Sequence, residues 1–274
     1  MNNILCPIDF SDASLNAMEY AVRIGEVHHS SIKLVHIVTP EEYNERLIND
    51  PENAVKDFEK ESLQKMNNLL QEVASVSSIK MSSMEVLDGR LIEKLQHIIK
   101  DESISLVVMG TEGVNDIVEA QVGSNTLKLI EESEVPILCV PAHSGYKPIK
   151  KMVYGSEFSM DDKEYLQPII NFAYGFDARL IVSHITNTSG ISEEEYNAYI
   201  SKIKSYFVYE KLSFEQFNTE KDTHIALEHI LNAHDADLLI LVHKKRNFLK
   251  SLFHRSLTKR MSYMTNFPLL VLRN

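Results

Sequence analysis

The chain has 274 residues, of which 44% are hydrophobic and 24% charged, a balance typical of a soluble globular protein and long enough for two ordinary domains. No apolar run approaches the roughly 20 residues of a membrane helix, and two cysteines, Cys6 and Cys139, fit neither a disulfide framework nor a zinc site. The net charge of −11 is lopsided, with 11 Lys and Arg against 24 Asp and Glu up to residue 143 and 17 against 15 beyond it, which argues against nucleic acid as the general partner.

In chain order, residues 3–8 (NILCPI) read as the first strand. With no basic n-region, and Asp9 arriving early, the start does not read as a secretory signal, so a cytosolic location is expected. A helix is predicted over 12–27, where Leu15, Met18, Ala21, Val22 and Gly25 recur at helical spacing and Ser11 or Asp12 can cap the free N–H groups. Strands are then expected at 31–38, 80–87, 104–109 and 137–140, and helices at 53–76, 90–101 and 123–133. The last two strands are almost wholly apolar, as suits a parallel sheet covered on both faces. His36 lies inside an apolar strand and is expected to be a hydrogen-bonded core residue. The adjacent His28 and His29 end the first helix, where an imidazolium would suit the dipole.

The pattern then repeats. Asp9 aligns with Glu157 and His36 with His184 at an offset of 148, while His97 aligns with His229 and Pro136 with Pro268 at 132. Four collinear matches imply a duplicated α/β domain. The shorter second copy is expected to lose its length in the connection after its second strand. The predicted domains are 1–143 and 149–274, joined through PAHSGYKPIKK, which Pro141, Gly145 and Pro148 punctuate.

Chemistry concentrates at MGTEGVNDIVEAQVGSN, residues 109–125, with the spacing G-x2-G-x9-G-S. It begins at the end of the fourth strand, and ligands of open parallel sheets bind beyond such carboxyl ends. Gly110 would allow close approach to the backbone, and Gly113 can take positive φ. Gly123 and Ser124 would present free N–H groups at a helix start, which favours an anion. A loop whose glycines serve only turn geometry is the alternative. Asp9, at the carboxyl end of the first strand, can accept from two hydroxyls or help to cap the helix.

This glycine pattern, ending a five-strand repeat that opens PIDFSDAS and carries LVHIV in its second strand, closely resembles the universal stress protein family. The resemblance covers nearly the whole chain as a tandem pair. It implies two five-stranded parallel α/β domains of strand order 3-2-1-4-5, packed about a pseudo-two-fold with their fifth strands (137–140 and 268–272) antiparallel. It also implies an adenine nucleotide, ATP or ADP/AMP, with Mg²⁺ as a conceivable companion. By that resemblance Asp9 meets the ribose, the backbone at Ile37 or Val38 meets the adenine, and Gly110, Gly113, Gly123, Ser124 and Asn125 hold the phosphates. The expected role is a cytosolic stress-response regulator, with an internal domain pair, a homodimer as a further option, and neither nucleic acid nor membrane as partner.

Two features depart from that pattern. Glu112, Asp116 and Glu119 crowd the loop, and no Lys or Arg falls between Gly110 and Lys128. In the second copy Gly110, Gly113 and Gly123 align with Val242, Lys245 and Arg255, and only Ser256 keeps its place, so that phosphate motif reads as lost. From residue 243 onward there are eight Lys and Arg and no acid, a stretch that suits a solvated face, an acidic partner or an anion. No catalytic motif occurs: there is no G-x-S-x-G, G-x4-G-K-[ST] or H-E-x-x-H. The competing readings are an interaction module with an empty glycine loop that docks a partner through its basic half, and a slow ATPase.

Overall fold

A computed structural model describes residues 2–38, 51–74, 80–111, 124–142, 145–186, 191–243 and 267–273. The chain folds into two compact units, Met1–Tyr146 and Lys147–Asn274. In the first, strands β1 (Asn3–Pro7), β2 (Ser31–Val38), β3 (Lys80–Asp88), β4 (Ile104–Gly110) and β5 (Ile137–Val140) are ordered β3-β2-β1-β4-β5. All four of its strand pairings are parallel. Its helices are α1 (Asp12–His28), α2 (Pro51–Ala74), α3 (Leu91–Asp101) and α4 (Ser124–Glu132). The order 3-2-1-4-5 that the resemblance implied is therefore the order found.

The elements form where their side chains can be buried. Ile4, Leu5, Leu34, Leu106 and Val107 lie at 0% exposure at the centre of the sheet, and Ala17, Ala21, Val22 and Ile24 of α1 pack over it. Near the amino edge Lys33, 2% exposed, holds Glu85 at 2.8 Å and also pairs with Glu102. Burial opposes its charge, but the hydrogen bonds it donates to both carboxylates more than offset this and raise its pKa above the ordinary lysine value. Both cysteines are free and fully buried. Burial lifts both thiols out of their reactive range, Cys139 to about 12.

The second unit repeats the plan. Strands β6 (Lys151–Ser156), β7 (Arg179–Thr186), β8 (Leu212–Asn218), β9 (Leu238–His243) and β10 (Leu269–Arg273) run in the order β8-β7-β6-β9-β10, again parallel. Its described helices are α5 (Asp162–Gly175), α6 (Glu193–Tyr206) and α7 (Thr223–His234). The shortening falls in the crossover after the second strand, where α6 has 14 residues against 24 in α2.

Backbone geometry carries the duplication further than sequence does. The described non-glycine residues with positive φ are Phe10, His29, Ser103, Phe158, Asp177 and Asp235. They form three pairs, two at the offset of 148 and one at 132. Positive φ is uncommon for any non-glycine residue and a genuine outlier for one as bulky as Phe. Its recurrence at Phe10 and Phe158 marks the same tight turn after the first strand of each unit.

Candidate functional site

The carboxyl edge of the first sheet collects most of the described site residues. β1 ends at Pro7, and the left-handed Phe10 turns the chain into α1, leaving Asp9 exposed. Asp9 Oδ1 accepts from the backbone N–H of Ser11 at 3.0 Å and from its hydroxyl at 2.5 Å. Ser11 is the N-cap, its Oγ accepting from Ser14 N–H at 3.2 Å, and Asp12 is the first helical residue. Asp9 thus supports the cap with one oxygen and holds its carboxylate at the edge of the sheet.

The end of β2 offers main-chain groups. Alternate residues of a central strand turn their peptide groups to opposite neighbours. Val35 C=O accepts from Ile8 N–H at 2.8 Å on the β1 side, and Val38 C=O accepts from Gly89 N–H at 3.1 Å on the β3 side. Ile37 therefore turns its N–H and C=O toward β1, whose ladder ended at Pro7 opposite Val35. The Ile8 carbonyl on that side accepts from His36 Nδ1 at 2.7 Å. Of the two adenine-contact residues implied by the resemblance, Ile37 is the one with donor and acceptor both directed to the edge.

His36 is 3% exposed, and its ring lies 4.8 Å from Phe10 and 6.0 Å from Phe58. It is a packed, hydrogen-bonded histidine that ties the turn after β1 to β2. Lys65 reaches over the Phe10 ring at 5.5 Å. The expectation of an imidazolium at His28 is overturned: burial, then the positive chain terminus and His29, lower its pKa to about 4.

Gly110 ends β4, and the close approach there is made by α1. A Cβ on Gly110 would stand 2.7 Å from the Ala13 carbonyl carbon and 2.9 Å from Ser14 N. Ser14 Oγ also receives Asp9 N–H at 3.4 Å, so Asp9 and Gly110 meet at one residue. On the other side Thr126 Oγ1 donates to Gly110 C=O at 3.2 Å, anchoring the start of α4. Ser124 and Asn125 open that helix exposed, with no acid in its first turn to occupy the free N–H groups. Gly113, Gly123 and the acids Glu112, Asp116 and Glu119 lie outside the described residues, as do Lys245, Arg255, Ser256 and most of the basic stretch. Val242, opposite Gly110 in the alignment, is a buried residue of β9 paired with Leu272.

Phe10, Ser14, Gly89 and Thr126 are structural members of this edge that sequence reasoning missed. Phe10 had one signal, the match of Phe10 to Phe158. Thr126 had none, because its partner is a main-chain carbonyl 16 residues away, and the role of Ser14 against Gly110 depends on a contact between α1 and β4 that no local pattern shows.

Comparison with known proteins adds relatives to this geometry. The model of the universal stress protein family matches residues 1–141. Universal stress protein MJ0577 of Methanocaldococcus jannaschii is 26% identical over 152 residues, spanning 50% of this chain and 93% of that protein. Universal stress protein YxiE of Bacillus subtilis is 27% identical over 150 residues, spanning 51% of this chain and 98% of its own. Among solved structures, a universal stress protein from Archaeoglobus fulgidus covers 99% of this chain and 98% of its own, with a TM-score of 0.74 and 14% identity, a likeness of fold.

Proposed function

This chain belongs to the universal stress protein family, and from that premise we propose that its first unit binds an adenine nucleotide, ATP or ADP/AMP. The bound nucleotide would regulate the protein in the stress response, with binding rather than turnover as the function. The observation that carries this reading is the convergence, at one sheet edge, of an exposed carboxylate, an outward main-chain donor and acceptor, and a helix start without acid. Each matches one part of the ligand. Asp9 can accept from ribose hydroxyls, and the Ile37 N–H and C=O suit the acceptor and donor on an adenine edge. The N–H groups at Ser124 and Asn125, with Gly110 at the end of β4 and Gly113 and Gly123 in the loop, suit phosphate oxygens.

The edge lies where strand order reverses between β1 and β4, the usual ligand position of open α/β sheets. Mg²⁺ enters this proposal only as a companion of the phosphates. Among the described residues no group of three or more His, Cys, Asp or Glu could hold a metal by itself. No described helix is long and apolar enough to cross a membrane, and a cytosolic site of action is part of the proposal. Nucleotide would act by binding one conformation of the chain better than another, and so bias its affinity for a partner.

Isothermal titration of the full chain with Mg-ATP, ADP and AMP tests the reading. Binding of at least one nucleotide is expected, weakened about tenfold by Asp9→Asn, the loss of one charged hydrogen-bond acceptor. No heat with any of the three, at concentrations up to millimolar, would overturn it. Multiple-turnover release of phosphate from ATP would replace the regulator with the slow ATPase.

A further inference from the structure

Among the described residues the large hydrophobic side chains that stand exposed are Met160, Tyr174, Tyr206, Val208 and Ile225, all in the second unit. Tyr174 at 74%, Tyr206 at 40% and Val208 at 98% exposure line one groove of about 310 Å³ between the end of α5 and the turn from α6 to β8. We propose that this groove, with the basic cleft beside it, docks an acidic peptide segment of another protein through an apolar anchor side chain. The inference concerns the amino edge of the second unit and does not rest on nucleotide binding in the first.

The first unit shows what a solvated face looks like at the same place. Asn171 and Tyr174 match Arg23 and Glu26 at the offset of 148, and those two form an ion pair at 3.2 Å on α1. The left-handed His29 and Asp177 fix that correspondence at the ends of the two helices. The second unit has thus exchanged a charged pair for an amide and an aromatic ring that stands in water. An apolar side chain left in water gains nothing from the hydrophobic effect, so the fold gives no reason for Tyr174 or Val208. Exposed apolar groups gathered in one place mark interaction surfaces, and tyrosine is enriched at the centres of interfaces.

Charge selects the occupant. The turns that bound the groove also bound a cleft at the amino ends of β6, β7 and β8, with Tyr174 and Tyr209 lining the one and Asp177, Glu210 and Lys211 the other. The Tyr209 hydroxyl donates to Ala178 C=O and ties the two turns together. Lys150, Lys151, Arg179 and Lys211 line the cleft, and Lys163 and Lys202 reach over the Tyr206 ring at 4.0 and 5.4 Å. Three acids answer these six cations. Asp177 holds Lys211 at 2.6 Å, Asp235 holds Lys151 at 3.5 Å, and Glu210 lines the cleft. Lys150, Lys163, Arg179 and Lys202 make no ion pair among the described residues. Residues 187–190 and 244–266, which lie outside the described residues of this unit, include no Asp or Glu to neutralise them.

Unpaired cations around an apolar groove suit Asp and Glu on either side of an anchor, the charges steering the approach and the anchor holding it. A nucleic acid fits less well. Lys163 and Lys202 already take up the Tyr206 ring on which a base would stack, and Asp177 and Glu210 interrupt the track of a phosphate backbone.

Isothermal titration of the full chain with synthetic peptides, each carrying Leu, Ile, Phe, Tyr or Trp between runs of Asp and Glu, tests the proposal. At least one should bind, and about tenfold more weakly once its anchor is changed to Ser or its acids to Lys. Tyr174→Ser and Val208→Ser should each weaken binding about tenfold while leaving the melting temperature unchanged, because both side chains stand in water. Arg179→Ser installs the residue that the first unit has at Ser31, and should weaken binding and flatten its fall with added salt. Asp9→Asn should bind the peptide like the wild type, so a failure of nucleotide binding would leave these signals unchanged. No heat with any acidic peptide up to millimolar, or binding indifferent to both serine variants of the groove, would overturn the proposal. So would tighter binding of single-stranded oligothymidylate than of any acidic peptide, or self-association in sedimentation that Val208→Ser abolishes.

Discussion

Single residues at the first carboxyl edge serve the fold and belong to the proposed site. Asp9 is the clearest case, since one carboxylate oxygen organises Ser11 at the helix cap while the group stays exposed at the sheet edge. Asparagine retains the cap contact and loses the charge, so Asp9→Asn should lower nucleotide affinity with little change in melting temperature. His28 gives a pH signature. Its pKa falls from 6.5 in the unfolded chain to about 4 in the fold, chiefly through burial. Its contribution is complete above about pH 6.5 and is lost as pH falls toward 4, because the unfolded chain then takes up the proton first. His28→Gln should flatten the fall in melting temperature over that window, and a curve parallel to the wild type would contradict this. The sequence placed His28 at a helix end but could not show the packing that removes its charge. Histidine at such a position is cationic only where water reaches it.

Elements are where the sequence spoke most clearly. Apolar runs such as ISLVVM and ILCV have one stable fate in a chain of this kind, a strand covered on both faces, and the structure puts strands there. The helices were legible from their apolar spacing and from Ser11. The close contact of β4 with α1 was not, since Gly110 reads equally well as a ligand-facing or a packing glycine. Gly110→Val would drive its side chain into the Ala13 and Ser14 backbone. It should cost about 1–3 kcal/mol of stability as overpacking, detectable in urea unfolding together with loss of nucleotide binding. Ser11→Ala removes the cap and one anchor of Asp9, so about 1 kcal/mol should be lost. In thermal melts this corresponds to roughly 2–4 °C for a domain of 150–250 residues.

At the scale of the molecule, the central fact is duplication followed by divergence. It was legible because residues that govern strand ends and turns, such as His36 with His184, stayed in step. The shared left-handed turns and the shortened crossover extend the same correspondence. What fills the space beside a small strand residue was not legible: a Cβ on Gly155 would stand 2.8 Å from Leu241 Cδ2, so a leucine of β9 takes up the volume that Pro7 occupies in the first unit. Divergence also split the charge, leaving the acidic half with the intact glycine motif and the other half with the basic stretch. We propose one working nucleotide site per chain. Native mass spectrometry of gently purified full-length protein, titrated with Mg-ATP and with AMP, measures this directly. Saturation at one adenine nucleotide per chain, abolished by Gly113→Val, is expected. Saturation at two, or no bound nucleotide at any concentration, would contradict it.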